Sequence, residues 1–89
     1  MNFLSLYREI GKTLHGLGAE RVVLLNSRTI TDENYELKLE IAVDGEIDLV
    51  QADLICKESW EKIQIAFLDL NDYEKPELLA EVLEDGIQI

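Results

Sequence analysis

Apolar residues recur early in the chain at Phe3, Leu4, Tyr7, Ile10, Leu14 and Leu17. That spacing keeps one stripe on a helix of period 3.6 and predicts a helix over 2–17. Gly16 and Gly18 supply its stop. Arg21-Val22-Val23-Leu24-Leu25 is a short, mostly apolar run, the pattern of a buried strand. Residues 26–34 are polar and irregular and read as a loop. From Leu37 to Val43 the chain alternates, with Leu37, Leu39, Ile41 and Val43 on one face and Lys38, Glu40 and Ala42 on the other. This predicts a second strand, and Asp44-Gly45 then gives a turn.

Residues 47–62 admit two readings. Ile47, Val50, Leu54 and Ile55 fit a helix that Lys57 to Glu61 prolongs. Asp44-Gly45 followed by Ile47 and Leu49 also fits the opening of a hairpin. The helix is preferred. Residues 63–70, Ile-Gln-Ile-Ala-Phe-Leu-Asp-Leu, read as a strand. Pro76 suits the first turn of a further helix, where its missing N–H is not needed. Leu78, Leu79, Val82 and Leu83 form the stripe of that helix, and Gly86 stands where a left-handed cap belongs. Ile87-Gln88-Ile89 predicts a short closing strand. The order α-β-loop-β-α-β-α implies an α/β or α+β sandwich, with helices against a mixed sheet. With one proline, no repeat and no linker-like stretch, the 89 residues read as one domain spanning 1–89.

Charge narrows the function classes. Eight Lys and Arg face nineteen Asp and Glu, a formal net charge of −11. A nucleic-acid face must supply cations and release counterions, so direct nucleic-acid binding is disfavoured. An acidic chain can instead attract a basic protein, or be acidic merely for solubility. Cys56 is the single cysteine, so neither an intrachain disulfide nor a cysteine-based metal site is expected. Its natural reading is a small buried hydrophobe. No apolar run approaches the length of a membrane span, and Met1-Asn2-Phe3-Leu4 lacks a basic leader, so the expected location is the cytoplasm. His15 is a lone histidine expected to be exposed, and Trp60 and Tyr35 fit either core or interface.

From about Leu17 to Ile89 the chain resembles the minimal nucleotidyltransferases of the polymerase-beta-like superfamily. Those proteins carry a strand, then Gly-Ser-Arg-Ala-x-Gly-Asp, then Ser-Asp-x-Asp-Leu-Ala-Val after a variable loop. Val22-Val23-Leu24-Leu25-Asn26-Ser27-Arg28 stands where the strand and Gly-Ser-Arg belong, and Asp32 at the Asp after the second glycine. Leu37-Lys38-Leu39-Glu40-Ile41-Ala42-Val43 follows without a gap. Ile65-Ala66-Phe67-Leu68-Asp69-Leu70-Asn71 is similar to the strand of the third carboxylate, and Leu79 to Ile89 to the closing helix and strand.

The departures fall on the chemistry. In that family three carboxylates serve two magnesium ions and the attacking hydroxyl, and oxygen ligands are what a hard divalent cation requires. Their positions here hold Lys38, Glu40 and Ala66. Asp69 does not align with a catalytic position. The glycines of the phosphate-binding turn, which let backbone N–H groups approach an anion, are replaced by Asn26 and Thr31. Asn26, Ser27, Arg28 and Asp32 remain as a vestigial nucleotide-binding set, with a structural role as the simpler reading of Ser27 and Arg28. Lys38 either pairs with Glu40 or Asp32, or points to solvent, or binds a phosphate without metal. No Ser/His/Asp set, Gly-x-Gly-x-x-Gly or Walker loop offers a rival chemistry.

The resemblance therefore implies a catalytically inactive, antitoxin-like subunit that needs neither metal nor cofactor. It also implies a helical HEPN-domain partner, since the two families occur as toxin–antitoxin-like pairs. Self-association is a further expectation for so small a core. Two alternatives stand beside it. One is an active or weakly active nucleotidyltransferase using ATP and Mg²⁺, with Glu40 joined by Asp32 or Asp69. The other is a metal-free nucleotide-binding module using Ser27, Arg28 and Lys38.

Overall fold

A computed structural model describes residues 3–72, 80, 81, 83, 84 and 86–89. Its elements are α1 (Phe3–Gly16), β1 (Ala19–Thr29), β2 (Leu37–Gly45), α2 (Leu49–Ser59), β3 (Ile63–Asp69), a 3-10 turn (Leu70–Asp72) and β4 (Ile87–Gln88). The sheet order is β3-β2-β1-β4. β1 runs antiparallel to β2 and to β4, whereas β2 and β3 are parallel. Parallel neighbours need a crossover, and α2 supplies it. The result is an α+β fold in which α1 and α2 pack on a small mixed sheet. Among the described residues, no helix is long and apolar enough to cross a membrane.

The alternation of β2 decides which face the helices cover. Leu37, Leu39, Ile41 and Val43 are buried in one cluster with Leu6, Ile10 and Leu14 of α1, Val22 and Leu24 of β1, and Ala52 and Cys56 of α2. Both helices therefore lie on that face. Ala42, on the other side of β2, joins Val23 and Leu70 in a smaller cluster, against which Leu25, Leu68 and Leu83 are half-buried.

The expected stripe of α1 packs on the core at Tyr7, Ile10, Leu14 and Leu17, joined by buried Leu6, whereas Phe3 and Leu4 are 46% and 54% exposed. The first turn of α1 stands at the end of the sheet, where Phe3 borders a cavity with Thr29, Leu37 and Ile63 and stacks on Tyr7. The chain reverses at Gly18, with φ +116°, and leaves β2 at Gly45, with φ +95°, both in the left-handed region that favours glycine.

The strand after α1 is longer than its apolar run. Residues 26–29, expected to be loop, continue β1 and pair with β2 as Asn26↔Glu40, Ser27↔Leu39, Arg28↔Lys38 and Thr29↔Leu37. A shift of register between Leu24 and Asn26 marks a β-bulge, which leaves Leu25 without a partner on β2. The helix reading of 47–62 holds with shorter bounds. Asp48 caps α2 by accepting from the backbone N–H groups of Val50 and Gln51 at 3.0 and 3.3 Å. At the other end the Trp60 N–H donates to the Cys56 carbonyl at 2.8 Å.

Pro76, Leu78, Leu79 and Val82, read as a closing helix, lie outside the described residues. Residues 80, 81, 83 and 84 are helical. Gly86 is not a left-handed cap, because its φ is not positive. A side chain there would meet Val23 Cγ1, so the position is small because the segment lies against β1. The expected closing strand is present as β4, and it pairs with Val23 and Leu24.

Candidate functional site

Lys38, Glu40 and Ala66, the positions that the resemblance assigns to a carboxylate trio, come together on the sheet face away from α1 and α2. Lys38 and Glu40 alternate with the buried leucines of β2 and so share this face. Ala66 on β3 is the direct register partner of Glu40, and Gln64 that of Lys38. Across the antiparallel pair, Asn26 faces Glu40 and Arg28 faces Lys38. Two rows result: Arg28–Lys38–Gln64 and Asn26–Glu40–Ala66. Lys38 is half-buried and the other five are exposed.

The next part of the same face is apolar, where Val23, Leu25, Ala42 and Leu68 lie beneath Leu83. Beyond it the Arg21 guanidinium pairs with Asp44 at 3.3 Å. One carboxylate oxygen of Asp44 is buried and has no hydrogen-bond partner among the described residues.

The remaining sequence candidates separate from this cluster. Ser27 points to the helix side, where its hydroxyl meets the Tyr7 hydroxyl at 2.6 Å. Asn26, Ser27 and Arg28 thus form no turn. They are extended and paired to β2, and alternation sends Ser27 inward while Asn26 and Arg28 face out. Asp32 sits in the exposed connection between β1 and β2, where it accepts from the Asn34 N–H at 2.8 Å. Asp69 aligns with Val43, on the opposite face from Glu40, and accepts from the Asn71 N–H at 2.9 Å.

Chemically, the open face offers one carboxylate between two amide side chains and a methyl, with two cations in the adjacent row. Like charges directly opposite on paired strands repel, so Arg28 and Lys38 are best satisfied by an anionic group from outside. Among the described residues the ion pairs are Arg21–Asp44 and Lys57–Asp53, and neither Lys38 nor Glu40 pairs with another of them. Among them, too, no three His, Cys, Asp or Glu side chains converge as a metal ion requires.

Elsewhere, Cys56 is 2% exposed, and burial, followed by the charge of Asp53, pushes its thiol up to about 11. It is an unreactive core residue. Trp60 packs partly buried against the main core. His15 is exposed, and its ring lies between two carbonyl oxygens, to either of which a neutral imidazole can donate its one N–H. Nδ1 lies 2.9 Å from the Ala19 carbonyl oxygen and Nε2 3.1 Å from that of Ile89. Sequence reasoning missed this contact, because its partner is 74 positions away and offers only a backbone atom. The Arg21–Asp44 pair left a fainter signal, since opposite charges flank the two strands it joins.

No family model matches this chain, and no curated protein or solved structure matches it significantly.

Proposed function

We propose that this chain is a catalytically inactive, nucleotidyltransferase-like protein of the cytoplasm that acts by binding another protein, as an antitoxin-like subunit does with a helical HEPN-type partner. One observation carries the reading. Where an acidic trio would hold two magnesium ions, Glu40 stands between Ala66 and Asn26, with Lys38 two residues away on the same strand. A lone carboxylate cannot ligate two hard cations, and the neighbouring ammonium repels them. The formal charge of −11 favours encounter with a basic partner.

The test is co-expression with a helical HEPN-type protein, followed by calorimetry of the purified chain with ATP and Mg²⁺. Co-purification at fixed stoichiometry with no metal-dependent nucleotide heat is the expected result. Tight, Mg²⁺-dependent ATP binding that disappears in Glu40→Ala would sink the inactive reading. The facing of Arg28 and Lys38 favours one second reading, an anion or nucleotide phosphate held without metal. ATP binding that persists in EDTA and is lost in Lys38→Ala would establish that instead.

A further inference from the structure

His15 is the one histidine of the chain, and both nitrogens of its ring face acceptors. Nδ1 stands 2.9 Å from the Ala19 carbonyl oxygen at the start of β1, and Nε2 stands 3.1 Å from the Ile89 oxygen just past β4. A neutral imidazole carries one N–H and one lone pair, whereas an imidazolium carries two N–H groups. The neutral ring therefore satisfies one oxygen and sets its lone pair against the other. The charged ring donates to both, and a charged donor makes the stronger bond.

The segment held by the second bond is lightly attached. β4 is two residues long and exposed, and its register with β1 covers Val23 and Leu24. The Ile89 N–H adds a bond to the Val22 carbonyl at 3.0 Å. Gly11 lets the Ile89 backbone pass close to α1, which brings the Ile89 oxygen to His15 one helical turn further on. Arg8, Glu9 and Lys12 of α1 border the same open cavity as His15 and Ile89. On β1 the neighbouring charge is Glu20, whose stem lies beside Gly45, and the turn after β2 brings the Glu46 carbonyl to Gly18. Residues 86–89 carry no charged side chain. Among the described residues none of these charges forms an ion pair with His15. Carboxylates, amines and guanidinium groups ordinarily keep their charge between about pH 5.5 and 8, where imidazole changes its own.

We propose that His15 is a pH-sensitive latch, whose imidazolium ties the closing segment at Ile89 to the start of β1 and whose neutral form gives up one of the two bonds. The charged ring makes one bond more with the segment docked than with it released. Docking is therefore favoured at low pH and weakens as pH rises through the range in which imidazole loses its proton. Release of the segment uncovers the outer edge of β1 from Val22 to Leu24. The inference does not rest on the proposed partner role.

Hydrogen exchange of the Ile89 amide between about pH 5.5 and 8 tests it, read as protection relative to an unstructured chain so that the intrinsic pH dependence of exchange cancels. In the unaltered chain that protection should rise about two- to tenfold as pH falls, the worth of one hydrogen bond. The amide of Ile41, in the buried centre of β2, should not follow it. In His15→Gln, which keeps a donor but does not titrate, Ile89 protection should be flat across the range. The ring ¹⁵N shifts of the unaltered chain provide a second reading that needs no variant: Nε2 should carry a hydrogen-bonded proton at the low end of the range. Ile89 protection that is flat in the unaltered chain overturns the proposal. So does the same pH dependence in His15→Gln, or an Nε2 without a hydrogen-bonded proton at low pH.

Discussion

Gly11→Ala sets two effects of opposite sign against each other. Gly11 is buried within α1, and a glycine inside a helix costs about 0.5–1 kcal/mol relative to alanine. On propensity alone the substitution stabilises. A Cβ built at Gly11, however, stands 2.5 Å from the carbonyl carbon of Ile89 and 2.9 Å from its oxygen. These are backbone atoms, so the closing segment must move away. Its attachments are then at risk: the Ile89 N–H donates to the Val22 carbonyl at 3.0 Å, and the Ile89 oxygen lies 3.1 Å from His15 Nε2. Two hydrogen bonds are worth about 1 kcal/mol each. Partial exposure of the Ile89 side chain, which packs on the core, adds roughly 1 kcal/mol more. The loss of about 3 kcal/mol exceeds the gain, and the net destabilisation is about 2 kcal/mol. In a domain of this size that lowers the thermal midpoint by about 8–16 °C. Circular dichroism melts read the shift, and amide exchange at Ile89 reads its cause. A raised midpoint with the Ile89 amide still protected would refute the reasoning.

Asp48→Ala removes the two bonds that begin α2 and should cost about 0.5–2 kcal/mol in urea unfolding, with helicity lost first in residues 49–52. Tyr7→Phe and Ser27→Ala each break the 2.6 Å hydroxyl contact and should cost about 1 kcal/mol. The double variant should cost less than the sum, and strict additivity would show that the contact carries no energy. The Cys56 thiol, raised from 9.0 to about 11 by burial and by Asp53, makes the native state hold its proton more tightly than the unfolded chain does. Its contribution is fully present below about pH 9 and is lost as pH rises through about 11, so urea midpoints should fall across that window and the decline should shrink in Cys56→Ala.

Periodicity located the elements best where one face is fully covered. Leu37, Leu39, Ile41 and Val43 alternate because the helices seal that side of β2, and the same burial makes the strand legible. Residues 26–29 failed as a strand reading because Asn-Ser-Arg-Thr has no apolar face. Their extended form comes from pairing with β2, a long-range contact that composition does not record. In α1 the expected stripe fails only at its first two residues, for a related reason. Phe3 and Leu4 have the right spacing, but the first turn of α1 stands at the end of the sheet, and both stay exposed. Gly86 looked like a cap from its place after a helical stripe, whereas contact with Val23 is what demands its small size.

The candidate face was legible in one direction only. Alternation along β2 is enough to put Lys38 and Glu40 on the same side, whatever the rest of the chain does. What flanks them depends on register, and register on the β1 side depends on the bulge at Leu25. One residue more or less there would turn Ser27 outward and send Asn26 and Arg28 to the helix side, separating Arg28 from Lys38. No glycine or proline marks the bulge, so nothing local announces it. On the β3 side the partner of Glu40 follows from where the strand begins, and it is Ala66. The backbone thus brings positions 38, 40 and 66 onto one open face. On the function proposed above, the side chains at positions 38 and 66 are what would limit cation binding there.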